Sequence, residues 1–169
     1  MRSDTRLQFP LDFINTTVML CRMAIPDFRA DGILPPGEHV ATWSEIVDRF
    51  GWNTRRRELL EGLRMALSEL QKAGCKRVYV DGSFVTDKDE PNDYDGCWEE
   101  AGVAIPSLHA GLLDLRWPRA TMNATFRGEM FPANAFADAR MTRFRTLFQR
   151  DRDDMPKGIV FIDLTEVSL

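Results

Sequence analysis

The feature that most constrains the fold is a pair of short predicted strands joined by a short polar loop. Lys76–Val80 alternates polar and apolar side chains, and a second apolar segment follows at Tyr94–Trp98. The body of the connecting loop is the nine residues 84–92. Such a loop is too short for a helical crossover, so we expect the two strands to pair directly or through the loop. A regular series of βαβ units is therefore excluded.

Two helices are predicted before these strands. Thr42 and Glu45 have the spacing of a capping box, which predicts a short helix at this point. Asn53 is a suitable N-cap for a longer helix over residues 54–73. The apolar residues of that segment recur at helical spacing on one face, which indicates an amphipathic helix with a buried stripe. They are Leu59, Leu60, Leu63, Ala66, Leu67 and Leu70.

The remaining pattern predicts further elements of both kinds. We expect a helix over residues 105–115, a short strand at Glu129–Pro132 and a buried strand at Gly158–Leu164. Another helix is expected from the spacing of Phe136, Met141, Phe144, Leu147 and Phe148. This order predicts an α+β fold, with a mixed β-sheet flanked by helices. The domain is expected to span residues 28–169, after an N-terminal extension at 1–27.

Composition excludes several classes of function. A chain of 169 residues is one domain of ordinary apolar content, and its net charge of −4 argues against non-specific DNA binding. Its three cysteines include no C-x-x-C pair, so neither a zinc knuckle nor a disulfide framework is indicated. No apolar run approaches the roughly 20 residues that span a bilayer. We therefore expect a cytoplasmic protein with reduced thiols and no membrane partner.

The loop between the two predicted strands carries the chemistry. Gly82-Ser83 directly follows a strand, so the backbone can approach a ligand while the serine hydroxyl and nearby amides bind phosphate oxygens. Asp93 and Asp95 are two residues apart at the start of the next strand, which puts both carboxylates on one face. Two such carboxylates repel each other unless a cation lies between them, and all-oxygen ligands favour Mg²⁺ or Mn²⁺ over zinc.

Each half of this arrangement is unremarkable alone. A Gly-Ser pair is commonly only a turn, and an Asp-x-Asp pair is commonly a solvated strand end. Their order and spacing, with a strand on either side, indicate a site for metal-assisted phosphoryl or nucleotidyl transfer. Thr86 and Lys88 lie in the same loop and could contact phosphate.

Gly82-Ser83, nine residues and then Asp93-Tyr94-Asp95 resemble the signature of the DNA polymerase β-like nucleotidyltransferase superfamily. The longer string that begins at Leu34-Pro35-Pro36-Gly37 resembles a small bacterial and phage family within it, from about Phe28 to Leu164. The resemblance implies Gly82 and Ser83 on a nucleoside triphosphate (NTP) and Asp93 and Asp95 on Mg²⁺ or Mn²⁺. It also implies a third acid from a later strand. Glu129 is the preferred candidate, and Asp163 and Asp114 are the alternatives.

The function implied by this resemblance is an Mg²⁺-dependent transfer of a nucleoside monophosphate from an NTP, such as ATP, to a hydroxyl. The acceptor would be a protein, an RNA or another molecule, and the setting a toxin–antitoxin or phage-defence system. The alternative is a catalytically inactive antitoxin or regulatory module that keeps the fold and binds a cognate toxin or antitoxin partner. The third acid distinguishes the two, because catalysis needs a carboxylate near Asp93 and Asp95.

Two other groups of residues are interpreted as structural. Arg55–Arg57 is expected to lie in solvent on the first turn of the long helix. Positive charge at a helix N-terminus is unfavourable, because the helix dipole is positive there. The four tryptophans are expected to be packing anchors rather than platforms for base stacking. They are Trp43, Trp52, Trp98 and Trp117.

Overall fold

A computed structural model describes residues 25–169. The predictions for residues 1–24, which include most of the N-terminal extension and the thiol of Cys21, lie outside the described residues. Within residues 25–169 no helix is both long and apolar enough to cross a membrane. The expected α+β class is confirmed, because residues 25–169 form a five-stranded mixed sheet and four α-helices.

The sheet has the spatial order β1-β5-β2-β3-β4. Its central strand β2 is antiparallel to both neighbours, β5 and β3. The outer pairs, β1 with β5 and β3 with β4, are parallel. The direct pairing of β2 with β3 agrees with the short loop between them. The strands are β1 (Gly37–Val40), β2 (Arg77–Asp81), β3 (Asp95–Trp98), β4 (Glu129–Pro132) and β5 (Gly158–Asp163).

The helices are α1 (Trp43–Phe50), α2 (Thr54–Lys72), α3 (Ala120–Phe126) and α4 (Phe144–Leu147). The capping box of α1 is confirmed. The Glu45 amide donates to the Thr42 hydroxyl at 3.2 Å, and the Thr42 amide donates to the Glu45 carboxylate at 2.6 Å. Asn53 caps α2 as predicted, since its side-chain oxygen accepts from the Arg56 amide at 2.9 Å.

One face of the sheet, which we call the helix face, holds the main core. The predicted leucine stripe of α2 is buried there against Val78 and Val80 of β2 and Val160 of β5. Leu59 and Leu63 have no exposed surface. Burial of each such side chain stabilises the fold by about 1.5–3 kcal/mol, so this face supplies most of the apolar burial.

The opposite face, which we call the acidic face, has a smaller aromatic cluster. Tyr79 of β2, Cys97 of β3 and Phe131 of β4 lie in one row across it. Phe144 and Phe148, on and just after α4, pack against this row. Because side chains alternate along a strand, Asp81, two residues after Tyr79, shares this face. Asp95 and Glu129, two residues before Cys97 and Phe131, share it as well, so the next row on this face is entirely acidic.

Two predicted helices are wrong in extent. Residues 105–115 form two short 3₁₀ turns, Ile105–Ser107 and Ala110–Leu113, because Leu108 is extended between them. The His109 ring also accepts from the Gly111 amide at 3.0 Å, which caps the second turn locally. The predicted helix around Phe136–Phe148 is reduced to α4.

The residues before α4 form turns instead of the predicted helix. Asp138 accepts hydrogen bonds from the amides of Arg140 and Thr142, and Met141 has a positive φ of 60°. Local side-chain bonds of this kind compete with a helix. Two elements were also missing from the prediction. Strand β1 begins at Gly37, directly after two prolines that indicated only a turn, and α3 has only seven residues, of which Met122 and Phe126 are buried.

Candidate functional site

Three carboxylates lie in one row across neighbouring strands of the acidic face. Asp81 at the end of β2 is paired in register with Asp95 at the start of β3, and Asp95 is paired with Glu129 at the start of β4. Directly opposed residues on paired strands point to the same side of a sheet. Glu129 therefore lies on the strand next to the Asp93–Asp95 segment, whereas Asp81 is a member of the row that the sequence did not single out.

The Gly82-Ser83 turn brings the backbone against this row. Gly82 has a φ of +83°, and a Cβ at this position would lie 2.5 Å from the Asp95 carboxylate oxygen Oδ2. Only glycine permits both the positive φ and this close approach. Ser83 then opens a short 3₁₀ turn, Ser83–Val85, whose first residue lies in the same cleft as Asp93 and Asp95.

The loop after Ser83 is held by the start of α2, and the interpretation of Arg55–Arg57 as a solvated run is wrong for its middle residue. Arg56 is fully buried. Its guanidinium donates to the carbonyls of Phe84 at 2.7 Å, Thr86 at 2.8 Å and Lys88 at 2.5 Å. Desolvation lowers the pKa of Arg56 to about 10. These carbonyls are about 30 residues away, so no local pattern could show the contact.

The second half of the loop is held in the same way. Arg55 donates to the Pro91 carbonyl at 3.1 Å and also to the Asn92 carbonyl. The Asn53 side-chain amide donates to the Asp89 carbonyl at 2.8 Å. Because both ends of the loop are tied to the rigid start of α2, Asp93 has a defined position beside Asp95.

A cleft of about 710 Å³, which we call the first cleft, contains the predicted phosphate turn and the two aspartates. Gly82, Ser83, Asp93 and Asp95 all line it. Thr86, which the sequence placed near phosphate, lines it as well. Two further acids, Asp151 and Asp153, line the cleft as well. Four basic side chains on its wall could bind an anionic ligand beside a cation. They are Lys88, Arg150, Arg152 and Lys157.

The carboxylates of the row destabilise one another's charged forms. Burial raises the pKa of Asp95 to about 7, and the negative charges of Asp93, Asp81 and Glu129 add to this effect. Burial and the charge of Glu129 likewise raise the pKa of Asp93. A divalent cation would relieve this repulsion, and carboxylate oxygens are the ligands that Mg²⁺ and Mn²⁺ prefer. The Asp93–Asp95 pair therefore fits such an ion.

Glu129 is occupied by other partners in this arrangement. Its Oε2 forms an ion pair with Arg119 at 2.8 Å, and its Oε1 accepts from Asn123 at 3.3 Å. Across residues 25–169, no three His, Cys, Asp or Glu side chains are grouped so that they could hold a metal ion. Both carboxylate oxygens of Glu129 therefore have protein partners in this arrangement.

The alternative third acids lie elsewhere. Asp163 shares the acidic face, as its alternation with Phe161 predicted, but it pairs with Arg77 at the opposite end of β2 from Asp81. Its carboxylate accepts from the Thr165 amide and hydroxyl. Asp114 accepts from the Thr121 amide at 2.9 Å, near the start of α3. Neither lines the cleft that contains Asp93 and Asp95.

Sequence reasoning missed the ion pair at the other end of the row. Asp81 is only 4% exposed, and Lys157 donates a short hydrogen bond to its carboxylate. Burial raises the pKa of Asp81, while the charge of Lys157 opposes that shift. The position of Asp81 directly before Gly82 was the available signal. Lys157 lies 76 residues away in a polar loop and had none.

Comparison with known proteins adds a family but no activity. A family model described as a family of unknown function, DUF6932, matches residues 26–163. No curated protein and no solved structure is significantly similar to the chain. The matched range includes the whole acid row, the Gly82-Ser83 turn and every residue that lines the first cleft.

Proposed function

This chain belongs to DUF6932, a family of unknown function, and we propose that it is a divalent-metal-dependent nucleotidyltransferase with a nucleotidyltransferase-like fold. The observation that carries the proposal is the meeting of the Gly82-Ser83 turn with Asp93 and Asp95 in one cleft. The activity would be transfer of a nucleoside monophosphate from an NTP to a hydroxyl of an acceptor.

The first cleft suits the triphosphate. The Ser83 hydroxyl and the amides of the turn supply hydrogen-bond donors, and Gly82 allows the backbone to approach phosphate oxygens. Lys88 and Arg152 supply positive charge on the cleft wall. Lys157 lies at the buried end of the cleft, where its charge is shared with Asp81. The pyrophosphate part of the NTP therefore belongs on this side of the acid row.

Asp93 and Asp95 would hold the Mg²⁺ or Mn²⁺ ion. When bound, such an ion supplies charge neutralisation on the α-phosphate and lowers the pKa of the attacking hydroxyl. Asp95 stands in register with Asp81 and Glu129, so the sheet sets its orientation, whereas Asp93 precedes β3 in the loop that Arg55 holds. Glu129 is the third carboxylate of this proposal, and it would exchange its ion pair with Arg119 for a contact with the metal ion.

The chemical step is an in-line displacement. The acceptor hydroxyl oxygen forms a bond to the α-phosphorus, and the bond from that phosphorus to the pyrophosphate oxygen breaks. The pyrophosphate leaves with the electron pair of that bond. The hydroxyl proton passes to a carboxylate of the acid row and from there to water.

A second function is favoured by one observation, the ion pair that occupies Glu129. A protein in which Arg119 never leaves Glu129 would bind NTP and metal without turnover. It would then act as an antitoxin or regulatory module towards a cognate partner in a toxin–antitoxin or phage-defence system. The two functions differ in whether nucleotide binding is followed by covalent transfer.

The test uses NTPs labelled at the α-phosphate, incubated with the full chain, Mg²⁺ or Mn²⁺ and a cell lysate. The wild-type protein should transfer label to an acceptor, and the double variant Asp93→Asn, Asp95→Asn should lose at least about 100-fold of this activity. Asp163→Asn is the matched control, because Asp163 has the same chemistry at the far end of the same face. Labelling that survives in the double variant would refute the proposal.

Thermal unfolding separates binding from transfer. Mg²⁺ with NTP should raise the Tm of the wild-type protein, because a ligand that binds only the native state stabilises it. The double variant should lose this rise. Glu129→Gln should keep it while losing label transfer, the pattern of an interaction made only in the transition state. A rise in Tm without transfer by the wild-type protein would favour the binding module.

A further inference from the structure

A second cleft, of about 560 Å³, lies against the same acids. Asn92 and Asp93 line both clefts, whereas Asp95 lines the first and Glu129 the second. Asn92 and Asp93 therefore stand between two open spaces. The other residues of the second cleft are Arg55, Trp117, Pro118, Asn123, Ala124 and Arg127.

The in-line geometry of the proposed transfer reaction indicates a role for the second cleft. In phosphoryl transfer the attacking and leaving oxygens lie roughly in line on opposite sides of phosphorus. In the proposed function the triphosphate lies in the first cleft beside the Gly82-Ser83 turn, so the pyrophosphate lies on one side of Asp93. The acceptor hydroxyl must then approach from the other side, which is the second cleft. This step rests on the proposed transferase function.

Trp117 indicates the chemistry of the acceptor. Its side chain is 79% exposed, so the prediction that it is a packing anchor is wrong. The Arg119 guanidinium carbon lies 5.3 Å from the centre of its ring. An exposed aromatic ring flanked by a guanidinium is a platform on which a nucleic-acid base stacks without sequence preference.

Two further guanidinium groups stand at the edge of this cleft. Arg55 and Arg127 both contact the Glu58 carboxylate, at 3.3 Å and 3.7 Å, which orients them side by side. Both side chains are partly exposed, and guanidinium groups match phosphate oxygens. Arg127 is the freer of the two, because Arg55 also donates to the Pro91 and Asn92 carbonyls. The amides of Asn92 and Asn123 add neutral hydrogen-bonding groups suited to a sugar hydroxyl.

We propose that the second cleft binds the acceptor, and that the acceptor is the 3′-terminal nucleotide of a single-stranded polynucleotide. The base stacks on Trp117, a backbone phosphate contacts Arg55 and Arg127, and the 3′ hydroxyl is presented towards Asp93. A net charge of −4 opposes binding along the length of a strand, so recognition is confined to the end. A peptide acceptor would bring no phosphate for the two arginines.

The test uses single-stranded RNA and DNA oligonucleotides of about 12 nucleotides, each with a free 3′ hydroxyl. Wild-type protein with NTP and Mg²⁺ should extend at least one of them, and a 3′-phosphate end should block extension. Trp117→Ala and Arg127→Ala should each weaken oligonucleotide binding, measured by fluorescence anisotropy, by about 10-fold. Trp117→Phe should restore most of the binding.

The controls separate this cleft from the first one. Phe136→Ala removes an aromatic ring that is 59% exposed, and Arg140→Ala removes an exposed charge, both outside the two clefts. Neither should change oligonucleotide binding. Because Trp117 does not line the first cleft, Trp117→Ala should keep the rise in Tm with Mg²⁺ and NTP.

Two failures are distinguishable. If the wild-type protein binds NTP and labels a protein rather than either oligonucleotide, the acceptor assignment is refuted while the transferase function stands. Extension that is equally fast in Trp117→Ala would also refute the assignment. If the wild-type protein neither binds NTP nor transfers label to any acceptor, the transferase function itself fails.

Discussion

The two faces of the five-stranded sheet differ in what covers them. The helix face is covered by α2, a helix of 19 residues with a continuous leucine stripe. The acidic face is covered by α4, which has four residues, and by loops. Its aromatic cluster ends where the acid row begins, so one end of that face stays open to the two clefts.

The residues that stabilise the fold lie mainly on the helix face, and those of the proposed site lie on the acidic face. Apolar burial on the helix face stabilises the fold, whereas crowding of Asp81, Asp95 and Glu129 on the acidic face opposes it. The raised pKa of Asp95 expresses that cost, because the charged form is less favourable in the folded protein than in the unfolded chain. In the proposed function these charges would hold a cation beside an anionic ligand.

The largest effect is expected at the residue that joins the two faces. Arg56→Leu removes the guanidinium that binds the carbonyls of Phe84, Thr86 and Lys88, and it leaves the buried Phe84 carbonyl without this donor. We expect a loss of about 4 kcal/mol in the free energy of unfolding, measured with urea, together with weaker NTP binding. Arg57→Leu, at the exposed neighbouring position, should change stability by less than about 0.5 kcal/mol. Similar losses in both variants would contradict the role given to Arg56.

A cavity in the helix face should lower stability and leave the site intact. Leu63→Ala removes a fully buried side chain and should cost about 3 kcal/mol. Its rise in Tm with Mg²⁺ and NTP should equal that of the wild-type protein. Met65→Ala, at a side chain that is half exposed on the same helix, is the control. A reduced response to ligand in Leu63→Ala would show that the two faces are not independent.

Removal of a charge from the acidic face should stabilise the protein without its ligands. The pKa of Asp95 rises from 3.8 to about 7 on folding, so its contribution to stability is present at acidic pH and lost as pH rises through about 7. Asp95→Asn should therefore be more stable than the wild type by about 2 kcal/mol near pH 8, with the difference shrinking as pH falls towards 4.

Asp163→Asn should change stability in the opposite direction, although Asp163 lies on the same face of the sheet. Hydrogen bonds from Thr165 lower the pKa of Asp163, so its charge favours folding above the ordinary pKa of 3.8, and this contribution is lost as pH falls through the lower folded value. The variant should be slightly less stable than the wild type at neutral pH. Urea unfolding of both variants across pH would measure this contrast, and equal signs would refute it.

Among the changes in apolar packing, the smallest effect is expected in the aromatic cluster. The rings of Phe131 and Phe144 are stacked, with centroids 4.0 Å apart and planes 4° from parallel. Phe144→Leu keeps an apolar side chain but loses the stacking, and it should cost about 1 kcal/mol. Phe136→Leu at an exposed site should be neutral. A cost above that of Leu63→Ala would mean that the acidic face, not the helix face, dominates stability.

Local chemistry explains which parts of this protein were predictable from its sequence. The capping box at Thr42, the N-cap at Asn53 and the leucine stripe of α2 depend on residues within a few turns of one another. The Gly82-Ser83 turn and the Asp93-x-Asp95 pair are equally local, and so is the short loop that makes β2 and β3 neighbours. Where short-range bonds competed with periodicity, as at His109 and Asp138, the helical prediction was wrong.

Only the tertiary structure decided which distant groups meet the acids. Strand register placed Asp81 and Glu129 on either side of Asp95, and chain folding brought Lys157 and Arg119 to the two ends of that row. The burial of Arg56 and the exposure of Trp117 were settled in the same way. Each depends on contacts between residues far apart in the chain, and neither helical nor strand periodicity contains information about such contacts.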